Sequence, residues 1–103
     1  MSSDDQRKSG GATSCRVEVR LLATESGGRR GPPPVDFRVA FLGEGSAFDC
    51  RLRFTLAPEP GGAAQEAQLW LIDPDGPARE LLRPGRVLTL WEGRAIGTAV
   101  VLG

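Results

Sequence analysis

Few residues in this chain have types and spacings that could do chemistry. The sequence contains no histidine, so Ser46 has no conventional base to activate its hydroxyl, and it does not sit in a nucleophile elbow. The glycine-rich segment over residues 43–47 lacks the Gly-Lys-Ser/Thr that would hold a phosphate and its magnesium, and its glycines suit a turn. The carboxylates Glu18, Asp36 and Asp49 alternate with arginines. That pattern describes a solvated ion-pair lattice worth about 0–1 kcal/mol per pair, and a general acid–base couple needs a pocket that shifts pKa values. Cys15 and Cys50 are the only cysteines, too few for zinc without histidine. They read as small buried hydrophobes, with a mutual disulfide as the alternative. The expectation is a non-enzyme, with no catalytic residue, metal ligand, cofactor or bound nucleotide.

Binding chemistry is better represented. Twelve of the 13 basic residues are arginine, a bias that GC-rich coding produces as readily as selection for guanidinium groups. Arg16, Arg20, Arg38, Arg51 and Arg53 fall on the polar faces of alternating segments. They form either a phosphate-contacting stripe or a mixed-charge surface, and the interleaved Glu18, Asp36 and Asp49 favour the second. Arg29 and Arg30 stand among glycines with no acid nearby beyond Glu25, which makes them better candidates for an anionic partner. Trp70 and Trp91 alternate with leucines, which directs both rings outward, as covers for the wall beneath or as interface anchors. With 13 basic and 13 acidic residues the formal net charge is zero, against a non-specific nucleic-acid binder.

The elements that must position these side chains are short strands. A chain of 103 residues, 40% hydrophobic and 6% aromatic, builds one domain around one core. Residues 1–14 are nearly devoid of apolar side chains and read as a disordered tail ahead of a domain over 15–103. Residues 16–22 alternate, with Val17, Val19 and Leu21 on one face. A Ser-Gly-Gly-Arg-Arg-Gly loop with Pro32, Pro33 and Pro34 follows. Alternation resumes with Phe37, Val39 and Phe41 inward, then with Phe48, Cys50, Leu52, Phe54 and Leu56 lining the longest strand. Residues 68–72 read as a further strand, and residues 78–83 as one helical turn or an extended approach. The last two segments, 87–91 and 94–101, meet at a tight turn over Glu92 and Gly93. About six short strands without a convincing helix predict an all-β fold, a sandwich or a small β-barrel, and closing into a barrel is the simplest way to remove exposed edges. Residues 1–8 lack an apolar signal core and no membrane-spanning run occurs, so no membrane and a cytoplasmic location are expected.

Three stretches resemble the C-terminal, third domain of elongation factor Tu. The segment 25–29 (Glu-Ser-Gly-Gly-Arg), with proline after it, is similar to that family's Glu-Gly-Gly-Arg loop. Residues 37–41 (Phe-Arg-Val-Ala-Phe) are similar to its Tyr-Arg-Pro-Gln-Phe. The ending over 88–101 is similar to Phe-Ala-Ile-Arg-Glu-Gly-Gly-Arg-Thr-Val-Gly-Ala-Gly-Val-Val. The resemblance covers about residues 17–103 and implies a six-stranded antiparallel barrel. In that family the domain contacts the T-arm of aminoacyl-tRNA, the GTPase domain and the exchange factor. Here Ala40 replaces the glutamine and Asp49 falls near the threonine among the RNA-facing positions. Glu92 and Gly93 are kept at the turn, its second glycine is deleted, and Trp91 replaces arginine.

The expectation is therefore a free-standing barrel without a GTPase domain that binds another protein through Arg29, Arg30, Trp70, Trp91, Glu92, Gly93 and Arg94. The alternative is an RNA-binding module with a translation-related role, contacting aminoacyl-tRNA or other structured RNA through Arg38, Arg51 and Arg53.

Overall fold

The computed structural model describes residues 13–103. Six strands, β1 (Ser14–Leu21), β2 (Asp36–Gly43), β3 (Ser46–Phe54), β4 (Gln65–Leu71), β5 (Val87–Trp91) and β6 (Ala95–Val101), close into a barrel in the order β1-β4-β3-β2-β5-β6. Every neighbouring pair is antiparallel. Of the sandwich and the small barrel that strand spacing allows, the barrel is the observed fold, with the six antiparallel strands expected. Of the tail expected over 1–14, residues 1–12 lie outside the described residues. Ser14 already pairs with Trp70, and the Thr13 carbonyl accepts the Leu71 amide at 3.0 Å.

Period-two patterning explains the interior. Val17, Val19 and Leu21 of β1, Phe37, Val39 and Phe41 of β2, and Cys50, Leu52 and Phe54 of β3 are all buried. Ala67, Leu69 and Leu71, then Leu88 and Leu90, then Ile96, Ala99 and Val101 complete the lining. No polar or charged side chain is buried among the described residues. A barrel of this size is filled by side chains and leaves its polar chemistry outside.

Three boundaries differ from the sequence reading, each for a tertiary reason. Leu56 was expected inside, but β3 ends at Phe54 and Leu56 is 63% exposed. Pro58 turns inward instead and is fully buried, and a proline has no N–H to extend the ladder. β4 starts at Gln65, not residue 68, because Gln65 to Ala67 pair with β1 and that pairing overrides their helical propensity. β6 starts at Ala95, since Arg94 belongs to the turn. Residues Pro77–Leu81 form a short 3-10 helix. Its Ala78 and Leu81 are buried with the core, so this segment plugs one barrel end.

Both cysteines are free and buried. Burial pushes the Cys15 thiol from 9.0 to about 11. Burial, with Asp49 and Cys15 adding negative charge, pushes Cys50 to about 12. The folded state thus holds these protons more tightly than the unfolded chain does. Stability contributed by the neutral thiols is full below pH 9 and is lost as pH rises toward 11–12. Iodoacetamide at pH 8 is expected to leave both thiols unmodified until denaturant unfolds the chain, and the melting temperature is expected to fall steeply above pH 9. Rapid alkylation of the folded protein would contradict the burial described.

Candidate functional site

The β1–β2 loop and the β5–β6 turn, distant in sequence, meet at one end of the barrel. Arg29 Nη1 donates to both Glu92 carboxylate oxygens, at 2.8 and 2.7 Å, while its Cζ lies 5.0 Å from the Phe37 ring centroid. Arg94 Nε donates to the Gly27 carbonyl at 2.6 Å, and its Nη2 donates to the Gly28 carbonyl at 3.2 Å. Two guanidinium groups thus clamp the turn to the loop with charge-assisted hydrogen bonds.

Local geometry prepares both halves. The loop opens with a 3-10 turn over Thr24–Ser26, and Thr24 Oγ1 donates to the Arg29 carbonyl. The Gly28 amide donates to the Ala23 carbonyl at 3.0 Å. A Cβ on Gly28 would run into the Leu22 carbonyl and stand 2.9 Å from the Ala23 oxygen, so the close approach needs glycine. In the turn Gly93 has φ +74°, a left-handed conformation that glycine adopts without strain, and the Glu92 amide donates to the Arg94 carbonyl at 2.8 Å.

This arrangement corrects the reading of Arg29 as a free anion-binding group with only Glu25 nearby. Its acid is Glu92, 63 residues further on, a separation at which one sequence offers no pairing signal. Glu92, Gly93 and Arg94 likewise hold the barrel end together. Arg30 is exposed and has no ion-pair partner among the described residues.

A second group of the candidate residues gathers on the outer wall of β5, β2, β3 and β4. Cross-strand register puts Arg38 beside Arg51 and Arg51 beside Trp70. One step along the strands, Trp91 lies beside Ala40, Ala40 beside Asp49, and the Ile72 amide donates to the Asp49 carbonyl at 3.1 Å. Trp70 and Ile72 are each 40% exposed and Trp91 36%. Asp36 organises the arginines by accepting Arg51 Nε at 2.9 Å, Arg51 Nη2 at 3.4 Å and Arg53 Nη2 at 3.4 Å. Those bonds, chiefly to Arg51 and then to Arg53, hold the Asp36 carboxyl below its ordinary pKa. Arg51 Cζ stands 6.0 Å from the Trp70 ring centroid. A hollow of about 370 Å³ opens between Arg51, Arg53, Trp70, Leu71 and Ile72. Arg38 has no ion-pair partner among the described residues.

The other exterior charges are elsewhere. Barrel order separates β1 from β2 by two strands, so Arg16 and Arg20 do not neighbour Arg38; Arg16 shares a row with Arg53 through Gln68 and pairs with Glu66 at 2.7 Å. Glu18 lies opposite Glu66, not beside Asp36. Ile72 and Asp36 were missing from the candidate residues. Alternation after Leu71 carried the signal for Ile72, whereas the bridging role of Asp36 needs the β2–β3 register. Among the described residues no group of three or more His, Cys, Asp or Glu is placed to hold a metal ion, and no helix is long and apolar enough to cross a membrane.

No protein-family model matches the chain, and comparison with curated proteins likewise finds no match.

The clamp predicts measurable costs. Arg94→Ala removes donors from two carbonyls and is expected to lower stability by about 1–2 kcal/mol. Glu92→Gln weakens a partly exposed pair and is expected to cost roughly 0.5–1 kcal/mol. Urea denaturation of each variant checks both values, and unchanged midpoints would remove the clamp as a stabilising element.

Proposed function

We propose that this chain is a non-enzymatic protein-interaction module whose contact surface is the outer wall of β5, β2, β3 and β4. One observation carries the reading. Trp70, Ile72 and Trp91 stand exposed on two adjoining rows of that wall, outside an interior already filled by aliphatic and aromatic side chains. Large aromatic side chains beside arginine are the composition of interface anchors.

Kinship with the third domain of elongation factor Tu is part of the proposal. Its support is the agreement of strand number and antiparallel closure with what the resemblance implies, together with the meeting of the two motif-bearing segments, residues 25–29 and 92–94. On this reading those segments are the scaffold and the tryptophan face is the contact surface. Ala40 lacks a side-chain hydrogen-bond donor and Asp49 repels phosphate, and both lie on the same wall, which favours a protein over aminoacyl-tRNA. The cytoplasm is the proposed setting, supported by the two free thiols.

A gel-shift titration with tRNA at two salt concentrations, alongside chemical cross-linking to candidate proteins, tests the proposal. The expected result is no salt-steep tRNA binding, and a cross-linked partner that disappears in the Trp70→Ala/Trp91→Ala double variant. Tight tRNA binding that collapses as salt rises would overturn it, because counterion release marks phosphate contacts.

A further inference from the structure

We infer that the hollow beside Trp70 receives an acidic, hydrophobic segment of the partner protein: an apolar side chain seated against Trp70 and Ile72, with flanking carboxylates held by Arg38, Arg51 and Arg53. The inference rests on the protein-binding reading above and names the chemistry of that partner.

Charge complementarity selects the occupant. A guanidinium has five N–H donors. Asp36 takes Arg51 Nε and Nη2 and a single bond from Arg53 Nη2. That leaves Arg51 Nη1, Arg53 Nε and Nη1, and all of Arg38 to reach outward. Three guanidinium groups against the Asp36 and Asp49 carboxylates still leave an excess of positive charge at the rim. The planar fork of arginine suits bidentate carboxylate recognition.

Shape and the surrounding charges narrow the choice. The hollow's volume of about 370 Å³ lies toward the small end of the roughly 300–1,000 Å³ typical of ligand sites, a size for a side chain or two. The half-exposed Trp70 and Ile72 offer an apolar group burial and offer a phosphate nothing. On the other side of Ile72 a second hollow, of about 240 Å³, is bordered by Asp49 and Asp73. Carboxylates are therefore repelled there and directed toward Arg38 and Arg53. A nucleic acid meets the same acids as breaks in any phosphate track, since Asp36 and Asp49 flank the arginines on β2 and β3.

The test follows the Trp70 indole N–H by NMR in the full chain, with Trp91 as internal comparison. The probe is the capped peptide Glu-Asp-Leu-Phe-Glu-Asp, and its control carries lysine at each acidic position. Saturable movement of the Trp70 signal with the acidic peptide below about 1 mM is expected, at least tenfold weaker with the lysine peptide and at least tenfold weaker in Arg38→Glu. Arg38 makes no ion pair among the described residues, so an unchanged melting temperature will show that variant to be folded. Four results would overturn the inference: no saturation, equal response to the lysine peptide, Trp70 movement on concentrating the protein alone, or displacement of the peptide by an equimolar oligonucleotide. Should the acidic peptide fail while the double tryptophan variant still loses its cross-linked partner, the occupant named here is wrong and the wider contact surface stands.

Discussion

Closure at the seam between β2 and β5 is the constraint on which the rest of this barrel depends. That ladder holds three residue pairs, Ala40 to Leu42 against Thr89 to Trp91, whereas β2 and β3 share eight. A sheet left open there would present two unpaired edges in a chain too small to cover them otherwise. The Arg29–Glu92 and Arg94–carbonyl contacts lie at the end of the seam where the ladder has already stopped. They continue its closure with side chains in place of backbone pairs. Gly28 and Gly93 are required because the loop must approach the Leu22 carbonyl closely and the turn must adopt a positive φ.

That constraint sorts the polar residues by role. Arg29, Glu92 and Arg94 have the exposure and charge of a binding site, yet each is engaged within the fold. On the wall across β2, β3 and β4 the charged contacts join strands that the backbone ladder already pairs. Asp36 holds Arg51 and Arg53 in place, Arg51 approaches the Trp70 ring, and the two tryptophans stand outward. An ordered set of arginines next to exposed aromatic area is the physical basis for proposing the contact surface here.

Most of the architecture was legible in the sequence. Strict alternation around Val17, Phe37 and Leu52 marked inward faces because a closed barrel buries every second residue. The same period correctly turned Trp70 and Trp91 outward. Pattern failed where tertiary geometry outranked it: at Leu56, displaced by the inward turn of Pro58, and at Gln65, recruited into β4 by pairing with β1. The clamp was invisible for a different reason. Charges on two glycine loops carry no information about each other until barrel order brings the loops together. Strand order also dispersed the supposed arginine stripe, leaving Arg16 and Arg20 on β1 away from Arg38.

The most direct measurement is residue-resolved amide hydrogen exchange, comparing the wild-type chain with Arg29→Ala. If side chains complete the seam, the amides of Leu42 and Thr89, which face each other across it, exchange in the wild type as slowly as those of Val19 and Leu69. The variant then accelerates exchange about tenfold at the β2–β5 seam, equivalent to roughly 1.4 kcal/mol of local opening, and leaves the β3–β4 ladder unchanged. Equal exchange in both proteins, or acceleration spread over the whole barrel, would contradict local closure by this clamp.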